Sequence, residues 1–464
     1  MGGLRLRHRC PTWAATTSAG RIIRFPQTIG PDKRSDPHER GACPMRVLHV
    51  SDLHLGRDLS GISRREEHLA LMLELVSLAD AHSVDLTVIA GDIFDAVNPP
   101  AWAEDAFYDL LDGLAAGGRR AVVVIAGNHD NGIRLAAAEP LARRTGIWLC
   151  GDHEAVPGAF CEDGKVQIEP LGKGAALIHS ADRQRQVAVG ALPFVSEARL
   201  VPLQRTEIVS ELEVRDAYAD ALAEAFAARK ALLPVGVPHL LMGHCWVTGG
   251  VDDGSERTYR VGNLTDLRAA SLPEADYIAL GHLHRPQIVL GAPGPGPVIY
   301  SGSPLAWSRS DAGQEKRAVV VELTAPGQTQ LHSVPLLSGR PMRLWTVLSP
   351  KELAERVQKE AADRPFVELT LDYGRALTRD ELAGVHRMGV SFIKLVSVFE
   401  RGRFDDEEAL GQDDDLPDED VIGNFFAERE LSALVVRQLT SDVLTLLRGE
   451  FPPRPAGAFD EDEA

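Results

Sequence analysis

Long hydrophobic runs are missing from this sequence. None approaches the roughly 18 to 20 apolar residues of a membrane-spanning helix, and no short apolar core follows the basic N-terminus as a secretory signal would require. A cytoplasmic protein with no membrane partner is expected. Cysteine is scarce too: Cys10, Cys43, Cys150, Cys161 and Cys245 are odd in number, scattered and without a C-x-x-C pair. That excludes a disulfide framework and a thiolate zinc site and leaves reduced, structural thiols. Positive charge is also short, at 49 Lys+Arg against 67 Asp+Glu, with Lys supplying only 8. A chain of net charge −18 is not a polycation that holds nucleic acid through bulk counterion release. If it handles a phosphate polymer, local patches or bound metal must do the work.

What is present is the composition of a soluble globular protein, 44% hydrophobic and 25% charged, with 464 residues giving room for several domains. Residues 1–44 carry 8 basic against 3 acidic groups and show neither strand nor helix periodicity, so a disordered extension is expected there. Its Arg-rich, acid-free start has the look of an organelle transit peptide. The preferred reading is that translation begins at Met45, where RVLHVSDLHLG runs from a buried strand straight into a polar loop.

From Met45 the pattern alternates. Strands are expected near 46–51, 84–92, 120–130, 187–192, 238–243, 276–281, 298–301 and 317–323, with helices at 64–82, 101–116 and 133–144. Apolar strands separated by amphipathic helices predict α/β architecture with largely parallel sheets covered by helices. This unit spans 45–340. A compact βαβαβ pattern over 341–402 predicts a small α/β domain, and an acidic linker, 403–420, follows. Residues 421–450 read as a helical partner-binding segment, with Phe425, Phe426, Leu431, Val435, Leu439, Val443 and Leu447 on one stripe. The tail, 451–464, is expected to be disordered.

Five motifs share one position, the end of an expected strand. They are Asp52-Leu53-His54, Gly91-Asp92-Ile93-Phe94-Asp95, Gly127-Asn128-His129-Asp130, Gly243-His244 and Gly281-His282-Leu283-His284. In open α/β sheets the carboxyl ends of the strands form the ligand crevice, so these side chains can converge despite their separation in sequence. Any one motif alone is weak, since a D-x-H or a G-N-H-D turn occurs without a ligand; five in order are not. Carboxylate, imidazole and amide donors without thiolate suit Mn²⁺, Fe²⁺ or Zn²⁺. Two such cations ~3.5 to 4 Å apart would clamp a phosphate, and Asp92 is the natural carboxylate to bridge them.

The series SDLHLG, AGDIFD, AGNHD and ADYIALGHLHRPQ followed by YSGSP resembles the calcineurin-like metallophosphoesterases, and within them the SbcD-type nucleases. The resemblance covers about 45–450 and implies a metallophosphoesterase β-sandwich flanked by helices, with a capping domain and a C-terminal helical segment. It implies that Asp52, His54 and His284 hold one metal, that Asn128, His244 and His282 hold the other, and that Asp92 bridges, with Mn²⁺ the expected ion. His129 would meet the scissile phosphate and protonate the leaving oxygen. Asp95 would hydrogen-bond His129 and favour its imidazolium form, as a proton donor at neutral pH requires. The implied activity is DNA cleavage, exonucleolytic on duplex ends and endonucleolytic on single strands or hairpins, in repair and recombination. The implied assembly is a homodimer within a heterotetramer with an SbcC-like coiled-coil ATPase.

Arg57, Arg64, Arg65, Arg257, Arg260 and Arg285 lie close to the motifs and are candidates for holding DNA phosphates. Two other readings compete. One is a phosphatase of phosphoprotein or small phosphoesters, but the phosphoprotein phosphatases of this superfamily usually carry Arg-Gly after the second Asp of the G-D-x-x-D motif, where this chain has Ala96-Val97-Asn98. The other is a non-catalytic scaffold, which should have lost ligands that this chain retains.

Overall fold

The computed structural model describes residues 14–16, 22–24, 43–200, 211–250, 267–372 and 390–397. Two sheets pack face to face. The first has six strands in the order Gln328–Pro335, Arg317–Ala325, Met45–Val50, Leu86–Ala90, Ala121–Ile125 and Ile147–Cys150. From Met45–Val50 onward its pairings are parallel, with Val47 opposite Leu86 and Val122 opposite Ile147. The second has eight strands in the order Gln287–Val289, Val298–Tyr300, Tyr277–Gly281, His239–His244, Gln186–Leu192, Ala175–His179, Gln167–Gly172 and Phe160–Cys161. Its centre, from Val298–Tyr300 to Gln186–Leu192, is parallel. The fold is thus an α/β sandwich flanked by helices, as expected, though both sheets are mixed rather than largely parallel.

Alternation along each strand decides what it buries. In Met45–Val50, Met45 and Val47 face the layer between the sheets with Val88, Val123, Val189, Leu240 and Tyr277, whereas Leu48 and Val50 face the helices. The helices Arg65–Ala81 and Ala101–Ala115 cover that outer side through Leu71, Leu75, Phe107, Leu110 and Leu114. Helix Glu211–Leu232 covers the second sheet through Tyr218, Leu222 and Phe226, a four-residue repeat, and the buried Arg229 near its end donates to the carbonyls of Ala191 and His153. No helix among the described residues is long and apolar enough to cross a membrane.

The expected helix at 133–144 is two short ones, Gly132–Ala136 and Glu139–Ala142. Pro140 is tolerated in the first turn of the second but could not have sat inside a continuous helix. The strands Phe160–Cys161, Gln167–Gly172 and Ala175–His179 are not among the expected ones, because Pro170, Gly172 and Gly174 interrupt their alternation. Within the N-terminal extension Ala14–Thr16 pairs antiparallel with Ile22–Arg24, where the sequence predicts no structure; the β-branched Thr16, Ile22 and Ile23 favour that local pairing. Three parallel strands, Met342–Val347, Phe366–Leu371 and Ser391–Ser397, form a smaller sheet, and helix Pro350–Glu360, capped by Ser349, packs Leu353 and Val357 against Trp345 and Leu369. The expected helix at 378–386, the acidic linker, the helical segment 421–450 and the tail lie outside the described residues.

His49 occupies the inter-sheet layer, its Nδ1 2.8 Å from the Tyr277 hydroxyl, and burial lowers its pKa to about 3. The unfolded chain takes up this proton near 6.5 and the folded chain does not. Its contribution is therefore complete above 6.5 and falls as pH drops toward 3, by about 1.4 kcal/mol per pH unit. Denaturant unfolding at successive values from neutral downward should give a shallower pH slope for His49→Asn than for the wild type; identical slopes would refute the assignment.

Candidate metal centre

The first three motifs leave adjacent strands of one sheet and the last two leave adjacent strands of the other, so the sandwich brings all five to one edge. Leaving a strand so abruptly demands unusual backbone. Asp52, His54, Asp92 and His282 have φ of 55°, 45°, 50° and 104°, the cluster of strained residues expected where geometry is imposed by function. Two glycines permit the approach. A Cβ on Gly91 would enter the His244 ring, and one on Gly281 would strike the Ala90 carbonyl oxygen. The loops are then stitched together, Asp52 N–H donating to Gly91 O at 3.0 Å and His54 N–H to Asp92 O at 3.0 Å.

Donor atoms of Asp52, His54 and His284 lie within 4.8 Å of one another, as do those of Asp52, Asp92 and His244, and those of His54, Asp95 and His129. The Nε2 atoms of His54 and His284 are 3.0 Å apart. Asn128 Oδ1 stands 2.9 Å from His244 Nε2 and 3.0 Å from His282 Nδ1. Asp92 lies between these groups, with Oδ2 3.7 Å from His54 Nε2 and Oδ1 3.4 Å from His244 Nε2. All seven sequence-derived ligand candidates are therefore in one cluster, and its oxygen and imidazole donors fit borderline-hard divalent ions.

Burial keeps His54 and His284 well below the ordinary histidine range, hence neutral, the form that ligates metal. Burial also pushes Asp52 up to about 7, with Asp92 adding to the rise. For Asp92 burial acts upward as well, but His244, His54 and His129 outweigh it and hold the carboxyl well below its usual range. A divalent ion bound beside Asp52 would reverse its shift, because a carboxylate must be deprotonated to ligate.

His129 sits at the rim of the cluster. Its backbone N–H donates to Asp92 Oδ1 at 2.9 Å, and its ring Nδ1 lies 2.8 Å from the carbonyl oxygen of Asp95. The Asp95 carboxylate, expected to make that bond, is 4.0 Å from Nδ1; it is 3.7 Å from His54 Nδ1 and 3.7 Å from Arg57 Nε. It is the Asp95 peptide, rather than its side chain, that is turned toward His129.

The arginines divide. Arg64 is 1% exposed, donates to Glu67 and to the Ala306 carbonyl, and stacks between Trp307 and Phe366, so, contrary to the expectation, it cannot reach DNA. Arg57 lies over Trp307, Arg65 lies over Trp102, and Arg285 is exposed beside His284. Arg257 and Arg260 are outside the described residues.

Several supporting residues are absent from the sequence-based candidates. Ser51 donates to Asp52 at 2.5 Å and meets Ser301 at 2.8 Å. Asp130 accepts from the backbone N–H groups of Ile93, Phe94 and Gly127, tying two of the loops together. Ser51, Ser301 and Asp130 sit inside the recognised motifs, which is their available signal. Trp307 and Lys316, which brace His54 and His284, have none.

The family model described as calcineurin-like phosphoesterase matches residues 45–286. Among curated proteins the chain is similar to the SbcD component of nuclease SbcCD from Bacillus subtilis (strain 168), 36% identical over 365 residues that cover 78% of this chain and 88% of the relative. The protein of the same name from Rhodobacter capsulatus is 33% identical over 347 residues, covering 72% and 82%. That of Escherichia coli (strain K12) is 29% identical over 297 residues, covering 63% and 68%.

Proposed function

We propose that this chain, which belongs to the calcineurin-like phosphoesterase family and to its SbcD branch, hydrolyses DNA phosphodiester bonds as the nuclease subunit of an SbcCD-like complex. The observation that carries the reading is the convergence of Asp52, His54, Asp92, Asn128, His244, His282 and His284 at one sandwich edge. Asp52, His54 and His284 would hold one cation and Asn128, His244 and His282 the other, with Asp92 between them and Mn²⁺ the proposed ion. Two divalent cations supply, when bound, electrostatic stabilisation of the phosphoryl group and activation of a water nucleophile.

The chain's own residues then have definite tasks. Asp92 orients His129 by accepting its backbone N–H, and the Asp95 carbonyl accepts from Nδ1–H. With Nδ1–H committed to that carbonyl, Nε2 delivers a proton to the leaving oxygen only from the imidazolium form. Arg57, Arg65 and Arg285 are proposed to hold flanking phosphates. The finer reading is exonuclease action on duplex ends and endonuclease action on single strands or hairpins, in cytoplasmic DNA repair and recombination. The unit over 341–402 selects DNA structure, and the segment 421–450 docks the coiled-coil ATPase in a heterotetramer.

The test compares the Mn²⁺-loaded chain on hairpin DNA, duplex ends and p-nitrophenyl phosphate, with and without the ATPase partner. DNA cleavage abolished by chelation is expected; turnover of the small ester with intact DNA would instead support the phosphatase reading, and no turnover of either would support the scaffold.

A further inference from the structure

A ligating histidine is ordinarily fixed by an acceptor on its second ring nitrogen. Two histidines of this centre, His244 and His54, differ in that respect. His244 has Nδ1 2.8 Å from the Ala90 carbonyl oxygen. His54 has no such anchor: its buried Nδ1 makes no hydrogen bond, and the nearby carboxylate of Asp95 stands 3.7 Å away. Rings hold it instead, edge to face, with His129 at 4.8 Å, His284 at 5.0 Å and Trp307 at 6.0 Å between centroids. Of the three, Trp307 alone has no place in the chemistry proposed above, and it is buried.

From Trp307 a stack runs into the three-stranded unit. The Arg64 guanidinium lies 4.6 Å from the Trp307 centroid and 4.8 Å from that of Phe366, whose ring is also covered by Arg340 at 3.9 Å. Glu67 clamps both sides, accepting from Arg64 Nε at 3.1 Å and from the Arg340 backbone N–H at 2.8 Å. Phe366 begins the middle strand of the unit and is fully buried. In a close-packed interior a change in its seat must be taken up by Arg64, and then by the indole. Behind Trp307, its backbone N–H donates to Asp311 at 2.7 Å; Asp311 pairs with Lys316, whose ammonium donates to the His284 carbonyl at 3.2 Å. The same turn therefore borders both His54 and His284.

We propose that Trp307 is a positioning residue for His54, and that the Arg64–Phe366 stack makes the His54/His284 half of the centre responsive to how the three-stranded unit is seated. The inference rests on the two-cation reading. It is tested by calorimetric titration of Mn²⁺ into the metal-stripped full chain, as wild type, Trp307→Leu, Trp307→Phe and Phe366→Leu. Loss of a group that orients a ligand typically costs about 10- to 100-fold in metal affinity. Trp307→Leu should weaken one of the two binding steps by that order and leave the other unmoved. Trp307→Phe, which keeps a ring edge against His54, should restore most of the loss. Phe366→Leu, at the far side of the stack, should weaken the same step by a smaller factor, and it carries the test should Trp307→Leu fail to fold. Equal weakening of both steps, no weakening, or no rescue by Trp307→Phe would overturn the proposal. A wild type with a single binding step would overturn the two-cation reading instead, and the contrast between the Leu and Phe variants would then judge Trp307 on that step.

Discussion

His129→Ala lowers single-turnover DNA cleavage by about 10² to 10⁴, the usual worth of general acid–base help, while metal content stays at the wild-type level. Asn128→Ala, one residue away, has the opposite signature: metal is lost first and activity falls with it. The difference follows from where the side chains point. Asn128 Oδ1 faces His244 and His282, whereas the His129 ring is turned to the Asp95 carbonyl with Nε2 3.9 Å from Asp92 Oδ2. Asp95→Asn retains that carbonyl, so it preserves the orientation of His129 and should cost far less than His129→Ala; what it removes is the anion beside Arg57 and His54. Elemental analysis of each purified variant beside its single-turnover rate decides the matter. Equal loss of metal from His129→Ala and Asn128→Ala would collapse the division of roles.

The site is legible in the sequence because its signals are local. A parallel strand that ends in glycine followed by Asp, Asn or His announces both the turn and the chemistry within a few residues, as at Gly91-Asp92 and Gly281-His282. Side-chain partners across the fold carry no such signal. Arg64 reads as a surface cation from its place beside the first motif, yet its fate is set by Ala306, 242 positions on, and by the Trp307 and Phe366 rings. Asp95 shows a subtler limit: the family resemblance pairs it with His129, but whether carboxylate or carbonyl makes the bond depends on a peptide orientation that no side-chain pattern encodes. The strands between Phe160 and His179 escape a reading of periodicity because they belong to hairpins whose prolines and glycines erase the period of two.

Lys316→Met should destabilise the chain by about 3 to 5 kcal/mol, the cost of removing one partner of a buried ion pair. The ammonium is nearly enclosed and makes contacts to Asp311, to Ser303 Oγ at 3.1 Å and to the His284 carbonyl at 3.2 Å. Methionine fills similar volume but leaves the Asp311 carboxylate, 1% exposed, without its counter-charge. Asp311 cannot simply withdraw to water, because its other oxygen accepts from the backbone N–H groups of Trp307 and Ser308 at 2.7 and 3.0 Å. Adding Asp311→Asn to Lys316→Met removes the stranded charge while the amide oxygen keeps those two bonds, so the double variant should be more stable than Lys316→Met alone. Guanidinium unfolding of the metal-stripped chain measures both. A loss below about 1 kcal/mol in Lys316→Met, the range of an exposed pair, would mean that water reaches Asp311 and that the Trp307 turn is not held from behind. A double variant no more stable than the single one would place the loss in the bonds to Ser303 and His284 rather than in the buried charge.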